Sequence, residues 1–188
     1  YEMLEYWRGD GHCGWIAASA EEFHATDDPR VPTIFFVHGN RVSRGEAKQM
    51  GRQWLRRFEG AEYGEGPARL VIFTWPSDQM VRKPIEDVRV KAQRSEAHAW
   101  YLAALVDSIP SDVPVGLVGY SYGARLISAS LHLLGGGRIA GRQLAREEVP
   151  PPRPLRAVLL AAALDNHWLG EGQHHGLALS QVDSLIVF

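Results

Sequence analysis

Gly119-Tyr120-Ser121-Tyr122-Gly123 constrains this chain more than any other stretch, because the apolar run Val115 to Val118 leads into it and a helical pattern from Ala124 to Leu134 leads out. The order is strand, sharp turn, helix. In such a turn the central residue is held in a strained backbone conformation, and small residues two positions before and after it let strand and helix pack closely. Gly119 and Gly123 fill those two places. The strain holds the Ser121 hydroxyl clear of the sheet, beside the first free amides of a helix, where a developing oxyanion is stabilised. The pentapeptide alone is a weak signal, since Gly and Ser are common, and its context gives it weight. Read this way it is a nucleophile elbow; the alternative is a tight turn with a purely structural role.

The remaining pattern alternates strands with helices. Tyr1 to Arg8 and Trp15 to Phe23 read as two early strands joined by a turn at Gly9-Asp10-Gly11. Thr33 to Val37 is a β-branched and aromatic run, hence a buried strand, and it ends in His38-Gly39-Asn40. Ala47, Met50, Gly51, Trp54, Leu55 and Phe58 recur at helical spacing, so a helix from about Gly45 to Phe58 packs one face on the sheet. Gly60 to Gly66 is a turn-rich loop, and Leu70 to Trp75 a further strand, stopped by Pro76. Val88, Ala92, Trp100, Ala103 and Val106 mark a second helix with an exposed, polar first part.

Past the elbow helix, Gly135-Gly136-Gly137 caps its end and Val149 to Pro154 is a stiff connector. Leu155 to Ala162 and Val182 to Phe188 are the last strands. The informative loops fall at the carboxyl ends of strands, where an open parallel sheet binds its ligands. At 188 residues, with no internal repeat, one doubly wound domain accounts for the chain.

In these residues the chain resembles the α/β-hydrolase family along nearly its whole length. Phe35-Phe36-Val37-His38-Gly39-Asn40 looks like the family's strand and oxyanion loop, and Gly119 to Gly123 like its elbow. Within the family it is most similar to uncharacterised bacterial members with a Gly-Tyr-Ser-Tyr/Phe-Gly-Ala elbow. The resemblance implies a three-layer fold, a mostly parallel sheet with helices on both faces. It also implies acyl transfer to water through an acyl-Ser121 intermediate, as in a serine esterase or lipase. The other reading is a non-catalytic scaffold of the same fold that acts as a binding protein.

Carried over by position, Ser121 is the nucleophile, and the backbone amides of Tyr122 and Asn40 form the oxyanion hole. His38, Gly39 and Tyr120 border the substrate. The His38 side chain itself reads as a hydrogen-bonded spacer, because the family's general base lies near the end of the chain. The family's triad order is serine, acid, histidine, and its usual acid and histidine would both fall after Phe188. A variant placement puts the acid at Asp165, for which a helix cap is an equal alternative. His167, His174 and His175 are the histidines that follow the elbow; adjacent histidines without matched metal-ligand spacing read as surface residues, so no metal is expected. Trp75 and Asp78 are candidate pocket-lining residues.

Composition bounds the partners. Twenty Lys and Arg balance 22 Asp and Glu, so no basic field draws in nucleic acid or an anionic membrane; the partner that the family resemblance implies is a small ester-like molecule. The glycines at 116, 119 and 123 do not make a dinucleotide fingerprint, and no Gly-Lys-Ser/Thr phosphate loop occurs, so cofactor-free chemistry is expected. The single Cys13 permits no internal disulfide. The chain opens on Tyr1 and stops inside an apolar run, so it reads as a fragment truncated at both ends; a leader ahead of Tyr1 stays open and a cytoplasmic location is favoured.

Overall fold

The computed structural model describes residues 4–11, 14–59, 66–78, 84–146, 148 and 153–188. The expected loop at 60–66 and the connector at 149–154 lie largely outside them.

Five strands form one sheet: β3 (Thr33–Val37), β4 (Arg69–Phe73), β5 (Val115–Tyr120), β6 (Leu155–Leu160) and β7 (Ser184–Val187). Their order is β4-β3-β5-β6-β7, and every neighbouring pair is parallel. A parallel ladder needs a crossover between consecutive strands, and here the first three crossovers are the helices α2 (Arg44–Glu59), α3 (Pro84–Ser108) and α4 (Tyr122–Leu134). Alternate residues of β3 show where they lie. Phe36 packs against Trp54 of α2 with ring centroids 5.0 Å apart and the planes tilted, while Phe35 and Val37, pointing the other way, join the core built with α3 and α4. Helices therefore cover both faces, and the fold is the expected α/β architecture.

α4 is apolar on nearly every side, from Ala124 through Leu126, Ile127 and Leu131 to Leu134, because the sheet, α3 and a later 3-10 turn (Ala178–Gln181) enclose it. It ends as expected, with Gly135 as cap and Gly136 at φ 86°. A separate antiparallel pair, β1 (Tyr6–Gly9) and β2 (Trp15–Ala18), sits outside the parallel sheet.

Three expectations need correction. The second early strand stops at Ala18, and Ala20–His24 is a short helix, α1. Ser19 accepts from the Glu22 amide and Glu22 from the Ser19 amide, so this capping box overrides the strand-like composition. Leu55, placed by spacing on the packed face of α2, is 46% exposed. The polar first part of α3 is not simply solvated, because Asp87 and Lys91 are both buried there as an ion pair 2.8 Å apart.

Candidate active site

The order of the strands reverses between β3 and β5: the chain steps outward from β3 to β4, then returns to the other side of β3. In an open parallel sheet the crevice beyond the carboxyl ends at such a switch point is where ligands bind. Val37 pairs with Gly119, so the residues that follow, His38-Gly39 and Tyr120-Ser121, lie side by side at the carboxyl ends of the two strands.

Ser121 joins β5 to α4 with φ 53° and ψ −114°. A non-glycine residue there is strained, by about 1–3 kcal/mol, and persists only where its surroundings over-determine it. The surroundings are backbone. A Cβ on Gly119 would stand 2.7 Å from Ala124 Cα, and one on Gly123 would stand 2.0 Å from the Val37 carbonyl oxygen. The Ser121 amide donates to Leu160 O at 2.9 Å, and its carbonyl accepts from Ala124, Arg125 and Ala163. Four elements thus clamp one residue. Among the described residues the Tyr122 amide, at the start of α4, makes no backbone hydrogen bond.

The loop after β3 is held just as closely. A Cβ on Gly39 would lie 2.9 Å from the Tyr120 ring and 3.3 Å from Ser121 Cβ, so this loop presses on the serine. His38 is wholly buried; its Nδ1 donates to Gly39 O at 3.0 Å, and its Nε2 accepts from Thr74 Oγ1 at 2.9 Å. Burial pushes its pKa below the ordinary imidazole value, with the Gly39 carbonyl and Asp78 acting the other way. A neutral ring with both nitrogens engaged orders the loop. Trp75 Nε1 donates to His38 O at 2.9 Å, and its ring stacks on the imidazole at 6.0 Å. Further on, Ser77 Oγ donates to Val42 O and accepts from the Val42 amide. The loops after β3 and β4 are therefore stapled together. Asn40 lies between the staples, with its Oδ1 buried and unpartnered among the described residues.

Of the other expected site residues, Tyr120 is 51% exposed beside Gly39, and Tyr122 turns its hydroxyl to Val88 O at 3.3 Å. Asp78 is exposed. Asp165 is exposed on the loop after β6, two residues beyond the Ala163 amide that donates to Ser121 O. It borders a concavity of about 490 Å³ with Ala161, Leu164, Asn166, Leu169 and Phe188. A larger concavity of about 610 Å³ lies against β1 and β2, away from the strand ends.

The histidines do not gather at Ser121. The 165–177 segment turns back along α4: His175 Nδ1 meets Ser128 Oγ at 2.8 Å, and His174 Nε2 meets Glu96 of α3 at 3.0 Å. Ser128 stands two turns along α4 from Ser121, roughly 10 Å away. Burial, then the charges of His174, His132 and Arg125, push the His175 pKa down to about 3. His167 is exposed, its Nδ1 3.4 Å from Asn166 Oδ1. Ser128 carried no sequence signal for this pairing, because it arises between segments far apart in the chain.

The sequence matches no protein-family model and no curated protein. Among solved structures it is similar to an iodinated complex of an acetyl xylan esterase, at 13% identity and a TM-score of 0.44, over 84% of this chain and 82% of that one. It is also similar to TT1662 from Thermus thermophilus, at 15% identity and a TM-score of 0.40, over 99% of this chain and 89% of that one.

Proposed function

We propose that the chain is a serine hydrolase of the carboxylic-ester type. The observation that carries this reading is Ser121, held at φ 53° at the switch point of the sheet and pressed against Gly39. A strained polar residue in the ligand-binding crevice is stabilised elsewhere at a cost, and exposing a nucleophile explains that cost. In the proposed reaction Ser121 Oγ bonds to the carbonyl carbon of an ester or related substrate as a base takes its proton. The carbonyl oxygen takes up negative charge beside the Tyr122 and Asn40 amides, each donor worth about 3 kcal/mol. The ester C–O bond then breaks, the alcohol leaves with the proton, and water hydrolyses acyl-Ser121. Asp165 is the candidate acid.

A binding scaffold is the second reading, favoured by the engagement of His174 and His175 away from Ser121. A fluorophosphonate probe on the full-length protein separates the two, since it reacts where a base and an oxyanion hole act together. The expected result is one labelled peptide, containing Ser121, that disappears in Ser121→Ala. Folded protein that takes up no label, or labels equally after Ser121→Ala, supports the scaffold.

A further inference from the structure

Glu96 on α3 and His174 and His175 on the segment after β6 bring their ligand atoms within 4.8 Å of one another. Glu96 Oε1 lies 3.0 Å from His174 Nε2 and 4.0 Å from His175 Nε2. The two imidazoles stack with centroids 4.7 Å apart and 26° between their planes, so both present a nitrogen to the same carboxylate.

His175 is the informative member because it is fully buried. Ser128 Oγ donates to Arg125 O at 2.9 Å, so toward His175 the hydroxyl can only accept, and Nδ1 is the nitrogen that carries the proton. That leaves a lone pair on Nε2, which has no hydrogen-bond partner among the described residues and points at a carboxylate. Two acceptors face each other in a buried place, an arrangement that a cation between them would satisfy. A ring nitrogen anchored through its N–H while the other faces outward is how metal-binding histidines are oriented.

We propose that Glu96, His174 and His175 form a site for a divalent transition metal of the zinc class, separate from Ser121. Two imidazoles and one carboxylate suit zinc, whose bonds of about 2.1 Å set tetrahedral ligand atoms about 3.4 Å apart. The separations of 3.0 and 4.0 Å bracket that value. His174 is 45% exposed, which leaves an entry path and a fourth position for water. On binding, the proton on His174 Nε2 moves to Nδ1 or is released. Arg125 is the competing cation: its Nη2 and Nε lie 2.6 and 3.1 Å from Glu96 Oε1, with the guanidinium over the Trp168 ring. A metal held at these separations therefore displaces Arg125 from Oε1.

The test is equilibrium dialysis of the full-length protein against zinc chloride, with bound metal counted by mass spectrometry. One zinc per chain is expected, with affinity lowered at least tenfold in His174→Ala and in Glu96→Gln and unchanged in His167→Ala. His174 is half in solvent, so its variant should keep the wild-type circular dichroism spectrum, and Trp168, 4.6 Å from the His174 ring, offers a fluorescence readout of binding. No stoichiometric zinc in the wild type, or equal affinity in folded His174→Ala and Glu96→Gln, would overturn the proposal.

Discussion

Gly123 lies so close to Val37 that a side chain's first carbon would stand 2.0 Å from the Val37 carbonyl oxygen and 2.7 Å from that of His38. Both atoms are backbone and cannot swing aside. Gly123→Ala should destabilise the protein by about 3 kcal/mol or more, read as a lowered urea midpoint. Gly116→Ala on the same β5 is the control, because its new carbon would meet only Ile34 at 3.5 Å. Equal midpoints for the two variants would contradict the clamp at the serine turn.

Ser121 itself stores strain, and glycine adopts positive φ without it. Ser121→Gly should raise stability by about 1 kcal/mol while abolishing probe labelling. Thermal denaturation reads the first effect and labelling the second. A loss of stability would mean that the turn is comfortable and has no functional cost to explain.

His38 and His175 are both fully buried with lowered pKa values, the latter down to about 3. An unfolded chain takes up these protons first, near the ordinary histidine value of about 6.5. Stability is therefore fully present above that pH and is lost as pH falls toward the lowered folded values, by up to about 1.4 kcal/mol per pH unit for each ring. Urea midpoints measured in chelator should drop between about pH 7.5 and 5.5, and the slope should flatten in His38→Gln. A flat profile over that range would show that these rings are not held neutral.

Lys91 and Asp87 form an ion pair, Nζ 2.8 Å from Oδ2, with both side chains buried; the approach lacks hydrogen-bond alignment, so charge dominates it. Lys91→Met leaves the carboxylate without that charge and should cost about 3 kcal/mol. The double variant Lys91→Met with Asp87→Leu should recover part of the loss. A double mutant as unstable as the single would assign the effect to packing.

How much of this was legible from residues alone follows from how local each cause is. The sequence by itself determined the parallel α/β class, because uninterrupted apolar runs such as Thr33 to Val37 and helical spacing such as that of α2 each arise within one segment. The serine turn was legible for the same reason: its glycines stand at fixed offsets. The α1 cap was legible too, in Ser19 and Glu22, though strand-like neighbours masked it. Only the tertiary structure decided that His38 faces inward to Thr74, that Asp87 and Lys91 are buried, and that His174 and His175 turn to Glu96 and Ser128. Those partners lie as many as 78 positions apart in the chain. A polar side chain carries the same letters whether it faces water or a distant partner, and only the packing of α3, α4 and the 165–177 segment selects which.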